Sequence, residues 1–171
     1  MPDRDRGKTA HRWLLPAIAV IIIVLDQVTK LLIRAGMVPG ESIPVFGPFA
    51  LTYVQNTGSA FGLFPGQGLV ISILGVFSTI LILVFYRYLA PFSVFALVSI
   101  SMVFGGAVGN LVDRFALGYV TDFIDVRLWG TFHWPFFNVA DSCITIGGLM
   151  LVYYFLGMLR RGEQRGANRG A

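Results

Sequence analysis

Two aspartates in the second half of the sequence have the type and setting to act together on a substrate. Asp122 lies among alternating apolar residues, and Asp141 begins the last long apolar segment of the chain. Two carboxylates that share a partly dry site cannot both ionise easily, so the pair retains one proton. One group can then draw a proton from water while the other donates a hydrogen bond to a carbonyl. The pair therefore points to peptide hydrolysis by an aspartyl dyad, with water as the nucleophile.

Both aspartates also have structural interpretations, which the sequence leaves open. An aspartate at a helix start commonly caps the first backbone N–H groups, and Asp141 could be an N-cap of this kind. Asp122 could be a loop carboxylate paired with Arg114 or Arg127. Asp125, three residues further on, is interpreted as solvated rather than functional.

Polar residues at the apolar segments are further candidates, because charge is costly inside a membrane. Asp26 and Lys30 are four residues apart and can form an ion pair on one helical face. Asn110, Asp113 and Arg114 lie close together at the end of another apolar segment. A local ion pair between Asp113 and Arg114 is favoured over catalysis, although Arg114 could also hold a lipid phosphate or orient a carboxylate.

Other catalytic schemes find less support in the sequence. His11 and His133 lie in separate segments and form no pair for a metal, so no metal is expected. No cofactor is expected either. Cys143 lies within an apolar segment and is interpreted as a core residue. A serine–lysine dyad would need Lys30 beside a serine such as Ser59, and the spacing gives no argument for it.

Two other function classes remain as alternatives. A metal-dependent lipid phosphotransferase could use Asp113, Asp122 and Asp125 around Mg²⁺, but the spacing of Asp125 is wrong and the usual Asp-Gly opening is absent. A transporter or channel subunit could line a pathway with the polar residues. The charged residues instead cluster toward one face, which argues against a pathway across the bilayer.

The composition indicates which elements must position these residues. Of the 171 residues, 56% are hydrophobic and 13% are charged, whereas a soluble domain has about 25% charged residues. The bilayer is therefore the expected solvent, and a soluble helical bundle is disfavoured because its helices would need polar stripes. Four apolar stretches of roughly 20 residues match the thickness of the hydrocarbon core. They lie at 13–33, 69–86, 90–109 and 142–159.

The charges predict an orientation and exclude one class of partner. Nine of the 13 basic residues lie in the N-terminal segment, in the link between the second and third spans, or after the fourth span. Because basic residues concentrate on the cytoplasmic side, both termini are expected there. Six of the nine acids lie toward the outer face. The net charge of +4 is too small and too scattered for a nucleic-acid partner.

The two segments expected on the outer side, 35–68 and 110–138, are more than linkers. Residues 49–55 are rich in β-branched and aromatic side chains, and residues 120–128 alternate between apolar and other side chains. These stretches predict a small extracytoplasmic β element on the membrane surface. The chain is expected to form a single α-helical membrane domain with four transmembrane helices, followed by a disordered cytoplasmic tail at 160–171.

Five short blocks, in order along the chain, resemble the lipoprotein signal peptidases, or signal peptidase II. They read LDQVTK at 25–30, NTGSAF at 56–61, GGAVGNLVDR at 105–114, VTDF at 120–123 and FNVADS at 137–142. Each block alone is weak, but five in order on four spans are specific. Ser59 departs mildly from the pattern, since alanine or another small residue is expected there.

The resemblance implies a function and a set of site residues. Members of the family are bacterial inner-membrane aspartyl proteases. They cleave the signal peptide from prolipoproteins just before a cysteine that carries diacylglycerol, and they are the target of the cyclic peptide globomycin. By this resemblance Asp122 and Asp141 are the catalytic pair. The residues expected to line or support the site are Asp26, Asn56, Asn110, Asp113, Arg114, Asn138 and Ala140.

The resemblance also implies partners and a location. The outer β-rich segment is expected to form a cradle and a mobile cover over the substrate. The expected partners are membrane lipid and a prolipoprotein with a diacylglyceryl-cysteine, which would enter sideways between the spans. The active site is expected at the outer face of the cytoplasmic (inner) membrane of a bacterium, and the protein is expected to act as a monomer.

Overall fold

In the described part of the computed structural model, long and mostly apolar segments form four helices, and shorter segments form four strands. The structure describes residues 4–58, 68–89, 93–129 and 132–167. The helices are α1 (Arg4–Gly36), α2 (Gly68–Leu89), α3 (Val94–Leu117) and α4 (Val139–Ala167). The strands are β1 (Ser42–Phe46), β2 (Phe49–Asn56), β3 (Val120–Trp129) and β4 (Phe132–Phe137).

Three of the helices are long and apolar enough to cross a membrane, over Leu15–Gly36, Val94–Leu117 and Val139–Arg161. Helix α2 has a shorter apolar stretch at Val70–Val84. Large apolar side chains of these helices, such as Leu32 on α1 and Leu149 on α4, are about two-thirds exposed, at 65% and 66%. A bilayer supplies the apolar surroundings that such side chains need, so the chain is a membrane protein.

Helix α3 is the centre of the helical part, because α1, α2 and α4 all pack against it. Glycines on α3 allow its neighbours to approach closely. A methyl group at Gly105 would lie 3.1 Å from the Cα atom of Ala19 on α1, and one at Gly106 would overlap the carbonyl oxygen of Ala140 on α4. Small residues therefore bring α1 and the start of α4 against α3.

The strands form one antiparallel sheet with the order β1-β2-β3-β4. Strands β2 and β3 are neighbours although α2 and α3 lie between them in the sequence, so the sheet joins the two segments that were expected on the outer side. The strands predicted at 49–55 and 120–128 are confirmed. A buried cluster of Ile33, Met37, Tyr53 and Phe123 packs the end of α1 against the sheet.

Helix α3 extends beyond its predicted end, so the prediction of a loop from residue 110 is wrong. The helix continues to Leu117 and ends where Gly118 adopts a positive φ of 81° and donates its N–H to the carbonyl of Arg114. Residues 110–117 contain no glycine or proline that would end the helix earlier. In consequence Asn110, Asp113 and Arg114 are presented from a rigid helix rather than from a loop.

Helix α4 also continues past its predicted end, through residues 160–167. The prediction of a disordered tail is therefore wrong for these residues, and residues 168–171 lie outside the described part of the chain. Gly162 and Gly166 are poor helix formers, but Arg160, Arg161, Glu163 and Gln164 have good helix propensity and the helix continues past the end of the apolar segment.

Gly109 lies where α3 meets the buried carboxylate of Asp26, and a larger residue there should destabilise the fold. A methyl group at position 109 would lie 2.7 Å from a carboxylate oxygen of Asp26, which an ion pair with Lys30 holds in place. We expect Gly109→Ala to lower the free energy of unfolding by about 1–3 kcal/mol. Thermal unfolding in detergent micelles measures the change.

Gly148→Ala on α4 is the matched control, because nothing lies within 4 Å of a methyl group at that position. Its unfolding temperature should be unchanged or slightly raised, since alanine forms helices better than glycine. Equal unfolding temperatures for the two variants would contradict the close approach of α1 and α3.

Candidate active site

The carboxylate of Asp122 lies on β3 and is almost completely buried, with 1% of the residue exposed. Asn56, at the end of β2, donates a hydrogen bond from Nδ2 to Oδ2 of Asp122 at 2.8 Å. Asn138, which precedes α4, donates from Nδ2 to Oδ1 at 2.7 Å. Within the described chain Asp122 forms no ion pair with Arg114 or Arg127, so that interpretation is wrong.

Asp141 lies in the first turn of α4 and exchanges hydrogen bonds with Asn138. The backbone N–H of Asp141 donates to Oδ1 of Asn138 at 2.9 Å, and the backbone N–H of Asn138 donates to Oδ2 of Asp141 at 3.3 Å. This arrangement is a capping box in which Asn138 is the N-cap, so the interpretation of Asp141 as the N-cap is wrong. The Oδ1 atom of Asp141 accepts from Nδ2 of Asn110 at 2.7 Å.

Asn138 joins the two predicted catalytic aspartates. Its amide oxygen accepts from the backbone of Asp141, while its amide nitrogen donates to Asp122 and, at 3.1 Å, to Oδ1 of Asn110. The residue is completely buried, so water cannot replace these partners without opening the structure. One side chain therefore fixes the placement of both aspartates relative to each other.

Lys30 of α1 carries a completely buried ammonium group that supports the same network. Its Nζ lies 2.8 Å from Oδ2 of Asp26, 3.4 Å from Oδ2 of Asp113 and 2.9 Å from Oδ1 of Asn110. The predicted ion pair between Asp26 and Lys30 is confirmed. The contact with Asn110 has no signal in the sequence, because only the packing of α1 on α3 brings the two residues together.

Asp26 connects α1 with the start of α4. Its Oδ1 atom accepts the backbone N–H of Ala140 at 3.0 Å, which is one of the donors that a helix start leaves without a partner in the helix. Ala140 is completely buried, and it lies against Gly106 of α3. The structure thus places both predicted supporting residues beside Asp141.

Asp113 connects α1 and α3 with the start of β3. Its Oδ2 atom accepts the backbone N–H of Thr121 at 2.9 Å, and its Oδ1 atom lies 3.4 Å from Nη1 of Arg34. The favoured local ion pair with Arg114 is therefore wrong, because adjacent residues of a helix do not face each other. Since Thr121 directly precedes Asp122, the carboxylate of Asp113 fixes the backbone beside it.

Beside Asp141 lies a cavity of about 760 Å³. Its walls are mainly apolar side chains of α2, α3, α4 and β4, among them Leu74, Ile82, Leu111, Trp134, Phe136 and Ile144. Asn110, Arg114 and Asp141 contribute polar groups to the lining. Arg114 forms no ion pair with the carboxylates of the described residues, so its guanidinium can orient a group held in the cavity.

Burial and the nearby charge of Asp141 raise the pKa of Asp122 to about 7. Hydrogen bonds from Asn56 and Asn138 and the charge of Lys30 act in the opposite direction, because they stabilise the ionised carboxylate. At neutral pH Asp122 is therefore divided between its protonated and ionised forms.

Asp125 is 1% exposed, so the prediction that it is solvated is wrong. Its carboxylate accepts a hydrogen bond from Oγ1 of Thr52 and contacts His133 and Arg127. Burial favours the protonated form, but hydrogen bonds with these three residues more than offset it and lower the pKa of Asp125. Asp125 and Asp122 hold different partners, and in the described part of the chain no three His, Cys, Asp or Glu residues converge as metal ligands.

Asn56 also orders the chain that follows β2. Its Oδ1 atom accepts the backbone N–H of Gly58 at 2.9 Å, while its Nδ2 atom donates to Asp122. Asn56 therefore contacts Asp122 directly, which agrees with its predicted supporting role. Ser59 and the rest of residues 59–67, where the sequence predicts part of a cover, lie outside the described residues.

Comparison with known proteins connects this site with a family. The chain matches the family model described as Signal peptidase (SPase) II over residues 18–157. It is 43% identical to the lipoprotein signal peptidase of Moorella thermoacetica over 148 residues, which cover 86% of this chain and 94% of that protein. It is 44% identical to the lipoprotein signal peptidase of Desulforapulum autotrophicum over 145 residues, which cover 81% and 89%.

Solved structures agree with these relatives. The fold is similar to that of a bacterial membrane enzyme solved by the in meso method at 2.3 Å resolution, with a TM-score of 0.77 and 35% identity over 84% of this chain and 87% of that one. A second bacterial membrane enzyme, solved by the same method at 1.9 Å, gives a TM-score of 0.75 and 36% identity over 83% and 92%. Because the family match and these likenesses span most of its length, the chain belongs to the lipoprotein signal peptidase, or signal peptidase II, family.

Proposed function

We propose that this protein is an intramembrane aspartyl endopeptidase that removes the signal peptide from diacylglyceryl-modified prolipoproteins. Its membership of the signal peptidase II family supports a protease that processes such substrates. The observation that carries the catalytic assignment is the bridge through Asn138, which holds Asp122 and Asp141 in one buried network beside the cavity.

In the proposed reaction Asp122 is the carboxylic acid and Asp141 is the carboxylate. The raised pKa of Asp122, about 7, supports this division. Asp141 takes a proton from water, and the water oxygen attacks the carbonyl carbon of the scissile bond while Asp122 protonates the carbonyl oxygen. Asp141 then passes its proton to the amide nitrogen as the C–N bond breaks, and Asp122 recovers a proton from the hydroxyl. One water is consumed, and the pair again holds one proton.

The other buried residues of the network have positioning roles in this proposal. Asn110 holds Asp141 and is itself held by Lys30. Asp26 and Asp113 anchor the backbone of α4 and β3, respectively, next to the catalytic residues. Such prior placement spares the enzyme a reorganisation cost in the transition state.

The cavity suits a lipid-modified substrate. Its apolar walls can take acyl chains and apolar side chains of the signal peptide, and each buried CH₂ group is worth about 0.8 kcal/mol. Its polar part, formed by Asn110, Arg114 and Asp141, would hold the peptide bond before the lipidated cysteine. The substrate then enters from the outer leaflet, and its scissile bond scarcely leaves the membrane.

We further propose that α2 completes a set of four crossings, with both termini in the cytoplasm and the site at the outer face of a bacterial inner membrane. The distribution of the basic residues supports this orientation. The sheet then lies over the outer ends of the helices as a cradle for the substrate, the protein acts as a monomer, and globomycin is expected to inhibit it.

Replacing either catalytic aspartate by its amide should abolish cleavage. Asp122→Asn and Asp141→Asn each remove one proton-transfer group but keep the shape of the side chain, so we expect at least about a 10³-fold loss of turnover. The measurement uses purified protein in detergent and a diacylglyceryl prolipoprotein, with release of the signal peptide followed over time in the presence of a chelator.

Glu41→Gln is the matched control, because Glu41 is an exposed acid on the segment before β1 and its substitution should leave turnover unchanged. Cleavage that survives both aspartate substitutions would contradict the dyad. Cleavage that the chelator stops would favour the metal-dependent alternative, although Asp122 and Asp125 do not converge.

The pH dependence of turnover should report the proton on Asp122. Because its pKa is raised to about 7, turnover should fall as pH rises through that value and the carboxylic acid is lost. The hydrogen bond from Asn56 stabilises the ionised form, so Asn56→Ala should raise the pKa of Asp122 and move this inflection to higher pH. A pH–rate profile for each protein measures the shift.

Gln55→Ala is a suitable control, since Gln55 is the neighbouring exposed residue and donates to Tyr53 instead of Asp122. Its inflection should remain that of the unmodified protein. A profile for Asn56→Ala that is scaled down without moving along the pH axis would count against Asp122 as the acid.

A further inference from the structure

A second buried carboxylate lies on β3, outside the proposed catalytic pair. Asp125 is three residues after Asp122, so the alternation of the strand places the two on opposite faces. Its Oδ2 atom accepts from Oγ1 of Thr52 on β2 at 2.9 Å, and its Oδ1 atom lies 2.7 Å from Nδ1 of His133 on β4. The contact with His133 is the shorter of the two and reaches the edge of the sheet.

The hydrogen bonds around Asp125 continue to the other edge of the sheet. Thr52 contacts Oγ of Ser42 on β1 at 2.8 Å, and Nη2 of Arg127 donates to the same Ser42 oxygen at 2.7 Å. Side chains from all four strands are therefore joined to one buried carboxylate. The carboxylate is enclosed by these partners and needs their hydrogen bonds, so the network favours one register of the strands.

Strand β4 has features that weaken its backbone pairing, so a side-chain contact matters to it. It is an edge strand, and Pro135 within it has no N–H to donate. Its pairing with β3 shifts register between Ile124 and Val126 and again between Arg127 and Trp129. Irregular pairing leaves fewer backbone hydrogen bonds between β3 and β4. The contact between His133 and Asp125 therefore helps to hold β4 against β3.

Strand β4 is also a wall of the cavity beside Asp141. Trp134, Phe136 and Phe137 line that cavity directly after His133 in the sequence. Asn138, which follows them, is held separately by its own hydrogen bonds to Asp122, Asn110 and Asp141. Loosening β4 at His133 should therefore move the wall and leave the catalytic pair in place.

We propose that Asp125 and His133 are positioning residues that fix the β4 wall of the cavity and so determine how well substrate binds. The proposal rests on the proposed function, since the cavity is taken to hold the prolipoprotein. Asp125 and His133 then affect how tightly substrate binds and do not take part in the chemical step.

The kinetic test compares KM with kcat for variants of the pair. His133→Ala and Asp125→Ala should each raise KM for a diacylglyceryl prolipoprotein about tenfold, the effect expected of a lost charge-assisted hydrogen bond. The value of kcat should stay within about twofold. His133→Asn should restore KM, because its side-chain amide can donate to Asp125 from nearly the position of Nδ1. Glu41→Ala, at an exposed acid before β1, is the control and should change neither constant.

Hydrogen exchange tests the same proposal without catalysis. In detergent, the backbone N–H groups of β4 (all its residues except Pro135) should exchange at least about tenfold faster in His133→Ala than in the unmodified protein. Those of residues 120–122, which pair with β2, should not change. His133→Asn should again behave like the unmodified protein. Since His133 lies at an exposed edge, its variants should fold even where Asp125→Ala does not.

Three results would overturn the proposal: a fall in kcat with KM unchanged, unchanged exchange of β4 in His133→Ala, or His133→Asn that resembles His133→Ala. A failure of the unmodified protein to cleave the prolipoprotein would instead refute the proposed function. In that event the exchange experiment would still decide whether Asp125 and His133 hold β4.

Discussion

The placement of the site depends on one buried positive charge, that of Lys30, which needs hydrogen-bonding and ionic partners. The ammonium group of Lys30 is completely enclosed, and a charge withdrawn from water costs several kcal/mol unless it is paired and hydrogen-bonded. Its three oxygen partners belong to Asp26 on α1 and to Asn110 and Asp113 on α3. Because all three must reach one nitrogen atom, the rotation of α1 against α3 is fixed. Asp26 extends the constraint to α4 through the N–H of Ala140.

The residues proposed for catalysis are attached to this frame from several directions. Asp113 holds the backbone next to Asp122, and Asn110 holds the carboxylate of Asp141. Asn138 then joins the two aspartates by accepting from one and donating to the other. Because these hydrogen bonds fix Asp122 and Asp141 in advance, the two side chains would need little rearrangement to act on a peptide bond. Close helix packing through the glycines of α3 makes this arrangement possible.

Local patterns predict those parts of the structure that depend on neighbours in the sequence. The spacing of Asp26 and Lys30 predicts their ion pair, and the alternation from residue 120 predicts β3. The burial of Asp125 and the contact between Lys30 and Asn110 depend on residues far apart in the chain, so no local pattern signals them. The end of α3 is set by Gly118 rather than by the membrane boundary, and apolar content alone misplaces it.

The ionisation of Asp122 tests the shared proton most directly. Infrared difference spectra between the unmodified protein and Asp122→Asn, recorded across pH in the same detergent, give the protonated fraction of this one carboxyl group. The midpoint should lie near pH 7, and Asp141→Asn should lower it, because removing the neighbouring charge eases ionisation. A midpoint near the ordinary carboxyl value of about 4, or one that Asp141→Asn does not move, would contradict a proton shared between the two aspartates.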